Sequence, residues 1–295
     1  MRRTAILLAT ATLLLAACAP SGDDAAPATE PEPPRSSQSP QSSESPQSPR
    51  SSESAQPPEP GSTPPPWLGT RVLPDRGDGF GEVRATPPAL RERAFTVADT
   101  LPPLPGGGFA ARVADPAPTG VLDRSTWAPG CPVAADDLAW VRVTFRGFDG
   151  ERHTGELLLA SEWARPMVRV FRALWDADFP LEELRITRPA ELDAPPTGDG
   201  NNSGAFVCRP VTGGTSYSEH AYGRAIDLNP FQNPYERDDL VVPELASAWL
   251  DRDRDLPGMI RPGDAVVRAF ARIGWQWGGD YTSLKDYQHF SSTGG

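Results

Sequence analysis

Only three histidines occur in the 295-residue chain, and two of them stand beside carboxylates in patterns that can do chemistry. In SEHAYGRAIDLNP, residues 218–230, His220 precedes Asp227, and Gly223 lies between them where the backbone can turn. If residues 225–228 form a strand, the period of two puts Ala225 and Asp227 on one face and Ile226 and Leu228 on the other. An imidazole from a loop and a carboxylate from a strand can then share one cation. Near the C-terminus, DYQHF adds Asp286 and His289. Three protein ligands and an open fourth position are the arrangement that holds a reactive water, so His220, Asp227 and His289 read as ligands of one zinc ion per chain. Calcium and magnesium prefer all-oxygen shells. Asp286 reads as a general base that takes a proton from the activated water and passes it to a leaving amine. By residue type alone it could equally cap a turn. Arg209, in the loop just upstream, is the candidate for holding a developing oxyanion, and taken alone it could equally be a surface arginine.

Several elements must position these groups. Val141, Val143 and Phe145 alternate with Arg142, Thr144 and Arg146, which predicts a half-buried strand over 140–148, with Asp149-Gly150 as a hairpin turn and a return strand over 153–159. Ser161 reads as the N-cap of a helix over 163–175, with Ala164, Val168, Phe171 and Leu174 or Trp175 on one stripe and Pro166 near its start. A short strand is expected over 183–187 and a late helix over 262–273, stopped by Gly274. Residues 275–277 read as a strand and Gly278-Gly279 as a turn. In the lead-in, residues 67–120, LRERAF at 90–95 is the one plausible helical turn, and DRDRD at 251–255 reads as a solvated surface loop. His153 reads as an exposed or half-buried strand residue rather than a ligand. Hairpin, helix and strands around a late helix indicate an α+β domain over 121–295.

The N-terminal quarter differs in composition. MRR followed by a short apolar run, ending Leu15-Ala16-Ala17-Cys18, has the order of a secretory signal over 1–18 and is too short to span a bilayer. The ending resembles a bacterial lipobox, with Cys18 the acylated residue; the other reading is an ordinary signal with a chance cysteine. Residues 19–66 are mostly Pro, Ser, Glu, Gln and Ala and read as a disordered tether, extended by its prolines to on the order of 100 Å. Cys131 and Cys208 then remain as an even pair in an oxidising compartment, where a disulfide is expected over two buried thiols. The net charge of −11, with a single lysine, Lys285, argues against nucleic acid and against electrostatic docking on anionic lipid. Expected localisation is extracytoplasmic, as a monomer held to the membrane through Cys18 and facing the cell wall.

CRP at 208–210, the run from Ser218 through Tyr235, WGGDY at 277–281 and DYQHF at 286–290 together resemble the M15 family of zinc peptidases. The family pattern SxHxxGxAxD covers Ser218, His220, Gly223, Ala225 and Asp227, and its closing acid-x-x-His covers Asp286 and His289. The resemblance implies the hedgehog/DD-peptidase fold, a small antiparallel sheet flanked by helices, and one catalytic zinc. It also implies cleavage of an amide in peptidoglycan stem peptides. Arg209 then matches the arginine that stabilises the tetrahedral intermediate, and Ser218 and Tyr222 stand where substrate contacts are expected. The closing acid is aspartate, as in the endopeptidase branch, whereas resistance-type D-alanyl-D-alanine carboxypeptidases carry glutamate, so both activities stay open. From a different class, a non-catalytic zinc-containing module that binds or senses peptidoglycan would usually have lost the base or a ligand, and neither is missing. A purely structural zinc would call for a fourth strong ligand.

Overall fold

The alternation of Val141, Val143 and Phe145 becomes the central strand of an antiparallel sheet in the computed structural model, which describes residues 61–212 and 214–294. Strands β1 (Ala111–Ala114), β2 (Leu138–Arg146) and β3 (Arg152–Ala160) pair in that order, with Val143 opposite Gly155. Gly150, at positive φ, donates its N–H to the carbonyl of Gly147 in the β2–β3 turn. Helix α2 (Ser161–Asp176) lies against this sheet and buries Ala164, Met167, Val170, Phe171, Leu174 and Trp175. Burying each large side chain in that stripe contributes about 1.5–3 kcal/mol. The stripe differs from the expected one in that Val168 is only partly buried and Met167 and Val170 face the core. Ser161 is the first helical residue rather than the cap, and its hydroxyl donates to Asp115 at 2.6 Å. Helix α3 (Ala265–Ala271) is shorter than predicted because Asp264 caps it, accepting from the Val267 N–H at 3.0 Å.

The chain is α+β, and in place of the expected single small sheet there are three antiparallel sheets and a two-stranded parallel pair. Strands β6 (Ala225–Asp227), β11 (His289–Ser291) and β9 (Gln276–Trp277) form one antiparallel sheet. Strands β10 (Lys285–Asp286), β7 (Tyr235–Arg237) and β8 (Leu240–Val242) form another. The strand expected over 183–187 shrinks to β4 (Glu183–Leu184), paired in parallel with β5 (Asn202–Ser203). One core cluster runs from the first sheet through α2 and α3 to Ile226 and Phe290, and the Phe290 ring stacks on Phe270 with centroids 3.9 Å apart. Among the described residues no helix is long and apolar enough to cross a membrane. The expected signal segment with Cys18, and the expected tether as far as residue 60, lie outside the described residues.

The lead-in is more than wrapping. Gly61, inside the expected tether, already accepts a hydrogen bond from the Ala94 N–H at 3.0 Å. Leu73, Leu90 and Phe95 share a second core with Phe231, Leu245 and Trp249, and the Trp249 indole N–H donates to the Leu90 carbonyl at 3.0 Å. The helical turn falls at Pro88–Leu90, not at 90–95, because Arg93 and Phe95 are drawn inward. The Arg93 guanidinium, 2 % exposed, grips both oxygens of Glu182 at 2.6 and 2.8 Å and lies over the rings of Phe95 and Phe231. The charge run at 251–255 is likewise not all solvated. Arg252 reaches back to the carbonyls of Gln232 and Ile260 and covers the Tyr287 ring at 4.4 Å, and its burial lowers its pKa to about 10. A buried ion pair broken from one side leaves a stranded charge. Arg93→Ala therefore destabilises the protein by about 3–5 kcal/mol in urea unfolding; a loss below about 1 kcal/mol would mean that water reaches Glu182 and that the pair is not holding the lead-in.

Candidate metal centre and cleft

The ladder between β6 and β11 places the ligands. Asp227 pairs with His289 and Ile226 with Phe290, so one face carries the two polar side chains while the other sends Ile226 and Phe290 into the core, both 0 % exposed. On its other side Asp227 exchanges backbone hydrogen bonds with Gly204 at 2.9 and 3.1 Å. His220 arrives from a 3-10 helix, Glu219–Tyr222, that ends at Gly223. Gly223 adopts a left-handed conformation (φ 67°) and lies so close to β3 that a Cβ there would sit 2.4 Å from the Ala160 nitrogen. Its carbonyl accepts the Ala160 N–H at 3.0 Å, which docks the metal loop on the first sheet.

The donor atoms converge. His220 Nε2 lies 3.2 Å from His289 Nδ1 and 3.3 Å from Asp227 Oδ1, and His289 Nδ1 lies 3.0 Å from the same oxygen. Tetrahedral bonds of about 2.0–2.1 Å hold ligand atoms about 3.3 Å apart, so the spacing suits zinc. His220 Nδ1 donates to the Ala205 carbonyl at 2.5 Å, which fixes the tautomer and leaves Nε2 as the free donor. Burial by itself would raise the Asp227 pKa, but the two imidazoles outweigh it and hold the carboxylate well below its usual range. Burial likewise opposes charge on His289, and the Asp227 carboxylate overcomes it, so that pKa is raised. Two nitrogens and one oxygen that converge at this spacing, with one imidazole already oriented, fit the ion.

Asp286 stands beside this cluster on the neighbouring sheet, paired with Tyr235. Gly278 packs directly on it, since a Cβ at 278 would sit 2.5 Å from the Asp286 carbonyl oxygen. Lys285 donates to the carbonyls of Gly279 and Tyr281 and closes the same turn. Asp286 Oδ1 is buried without a hydrogen-bond partner. Burial first, and then repulsion from Asp227, raises its pKa to about 7 against the pull of His289 and His220. It is not used as a turn cap.

A cleft of about 370 Å³ opens over these groups and is also lined by Phe80, Arg209, Ser218, Tyr235, Arg237, Leu240 and Val242. Arg209 donates from Nη1 to Pro210 O and Thr212 Oγ1 at 3.1 and 2.9 Å, and the adjacent Cys208 is in the expected disulfide with Cys131, Cα atoms 6.0 Å apart. Tyr222 lies elsewhere, contrary to the expected substrate contact. Two residues on a 3-10 helix are two-thirds of a turn apart, so Tyr222 points away from His220, under Arg224 and into a separate hollow lined by Pro132, Ala160 and Glu162. His153, half-buried on β3, is held by Asp99 at 2.9 Å and by Asp149 and takes no part in the site. The Ala205 carbonyl and Phe80 were not legible as site residues, because one is a backbone atom and the other is far away in sequence.

Residues 212–292 match the family model described as D-alanyl-D-alanine carboxypeptidase. The matched stretch holds His220, Asp227, Asp286 and His289, and it leaves Arg209 and the whole lead-in outside. It supports a peptidase of the M15 type, and the α+β architecture with small antiparallel sheets is consistent with that domain. Neither the curated proteins nor the solved structures offer a match.

Two outcomes test the centre. Gly223→Ala forces a Cβ into the Ala160 backbone at a strained φ and should lower both Tm and zinc affinity, read by thermal melts and metal titration; an unchanged affinity would show that the loop does not need this docking. Asp286, with a folded pKa of about 7 against 3.8, contributes stability that is full below the lower value and is lost as pH rises through the upper one. In chelated protein, the Tm of Asp286→Asn should therefore gain on wild type from pH 4 to pH 8; a constant difference would mean that Asp286 ionises normally.

Proposed function

We propose that the protein is a zinc-dependent peptidase that hydrolyses an amide bond in peptidoglycan stem peptides, as a D-alanyl-D-alanine carboxypeptidase or a related endopeptidase. The observation that carries the reading is the convergence of His220, Asp227 and His289 at ligand spacing beside Asp286, whose Oδ1 is buried without a hydrogen-bond partner, at the floor of an open cleft. When bound by these three side chains, zinc supplies Lewis acidity and a water of lowered pKa.

The remaining work belongs to residues of the chain. Asp286, buried beside the three ligands with Oδ1 unengaged and lining the same cleft, is placed to accept a proton from the attacking water and deliver it to the leaving nitrogen. Arg209, on the cleft rim, offers a guanidinium to the oxygen that becomes negative as the carbonyl turns tetrahedral; only Nη1 is engaged by its own loop, so the other donors remain for substrate. Ser218 lines both the cleft and the smaller hollow beneath it, within reach of a bound peptide. The disulfide to Cys131 ties the Arg209 loop to the segment before β2, where both cysteines pack on the cluster of Leu138, Leu158 and Phe206. We place the protein outside the cytoplasm as a monomer, held to the membrane by a lipid on Cys18 and working on the cell wall; the lipobox-like Leu15 to Cys18 sequence and the disulfide support this placement.

Purified protein should carry about one zinc per chain and release fragments from defined muropeptides, identified by mass spectrometry as loss of a terminal D-alanine or as an internal cut. Asp286→Asn should keep its metal and lose at least about a hundredfold in kcat. Full activity in that variant would remove Asp286 from the proton path.

A further inference from the structure

The cleft has a wall built partly from chain outside the matched stretch. Strands β10, β7 and β8 turn one face to the metal cluster, and the register sets the order of side chains along it. Asp286 lies opposite Tyr235, Tyr235 opposite Val242, and Arg237 opposite Leu240. All five line the cleft. Arg237 lies two positions beyond Tyr235 on β7, with Glu236 between them, so its Cα stands about 7 Å farther along the strand from Asp286 than that of Tyr235. Arg237 is exposed, and no hydrogen bond or ion pair engages its side chain among the described residues.

Facing this sheet is a loop of the lead-in. Asp75 and Gly81 bridge in antiparallel fashion, and Arg76 N–H donates to the Phe80 carbonyl at 2.9 Å, which makes residues 75–81 a small closed hairpin. The hairpin is fixed at both ends. At its stem the Gly81 N–H donates to the buried Glu244 carboxylate at 2.7 Å. Toward its tip Arg76 holds both oxygens of Asp239, in the β7–β8 turn, at 3.2 and 3.3 Å. Gly79 abuts Thr212, the residue that accepts from Arg209. The half-buried Phe80 ring is thereby held in the cleft lining with Val211 and Leu240.

We propose that the hairpin 75–81 is the substrate-selecting wall of the cleft, in which Phe80 packs on an aliphatic side chain of the bound peptide and Arg237 takes a carboxylate beside it. The inference rests on the peptidase reading. An extended peptide advances about 3.3–3.6 Å per residue, so a carboxylate met by Arg237 belongs to a residue one or two positions from the cleaved amide. Two sources share that chemistry: the α-carboxylate of a terminal residue and the side chain of an internal acidic residue.

The test uses the full chain with zinc and four variants, Phe80→Ala, Phe80→Leu, Arg237→Gln and Asp286→Asn, with thermal melts to establish folding. Substrates are stem peptides with a free C-terminus, with an amidated C-terminus, and with the internal acidic side chain amidated. For wild type the expected result is a KM raised about tenfold by whichever amidation removes the recognised carboxylate, a preference that Arg237→Gln abolishes. Phe80→Ala should raise KM about tenfold with little change in kcat, and Phe80→Leu should recover most of the loss. Cleavage whose KM is indifferent to both Phe80→Ala and Arg237→Gln overturns the wall. Calorimetry of the same peptides on Asp286→Asn, alone and combined with each wall substitution, separates the two ideas. Binding that weakens with Phe80→Ala and Arg237→Gln, in a protein whose wild type cleaves nothing, keeps the wall and overturns the peptidase reading.

Discussion

The Asp227 carboxylate between two imidazoles is the interaction on which the rest of the structure turns. Three like-natured donors do not gather in a half-buried place without a reason, because their lone pairs repel and their desolvation is costly. The backbone enforces the gathering. Asp227 is held on one edge by His289 across the β6–β11 ladder and on the other by Gly204, while Ile226 and Phe290 anchor the opposite face in the core. His220 is then turned by a carbonyl at its far nitrogen and by a glycine pressed against β3.

Ligands and base come from different sheets. Strands β6 and β11 carry Asp227 and His289, the 3-10 helix just before β6 carries His220, and β10 carries Asp286, separated from His289 by Tyr287 and Gln288. That short link changes sheet, and the Trp277 indole donating to the Tyr287 carbonyl at 2.8 Å pins it. The base is thus close enough to feel Asp227 and yet belongs to a separate ladder. Its raised pKa and the depressed pKa of Asp227 are two results of one arrangement: a carboxylate that touches imidazoles is stabilised, and a second one, buried without such contact, is not.

Much of the centre was legible in the sequence because its signals are local. Period two along residues 225–228 put Asp227 opposite Ile226 in orientation, and Gly223 marked the turn. The long hairpin and α2 declared themselves by repetition over many residues. Strands of two or three residues carry no such periodicity, so the division into four small sheets could not be read. Arg252 read as solvated because a charged residue is normally at the surface, and Arg93 read only as part of a helical turn because the Glu182 carboxylate that holds it is 89 positions away. Tyr222, two positions from His220, lines a different hollow, because proximity along a 3-10 turn is not proximity in space. The Phe80 loop was hidden because its partners, Asp239 and Glu244, sit some 160 positions away.

The second core has a consequence for how this chain can be divided. Phe231, Leu245 and Trp249 lie inside the stretch that matches the family model, but Leu73, Leu90 and Phe95, which complete their packing, and Arg93, which neutralises Glu182 beneath them, lie more than a hundred residues upstream of it. A boundary drawn at the start of the match would cut through a packed interior and leave the rings of Phe231 and Trp249 facing water. The chain from Gly61 through Phe95 therefore belongs to the same packed unit as the matched stretch, and what looks like a leader to a catalytic module is structural.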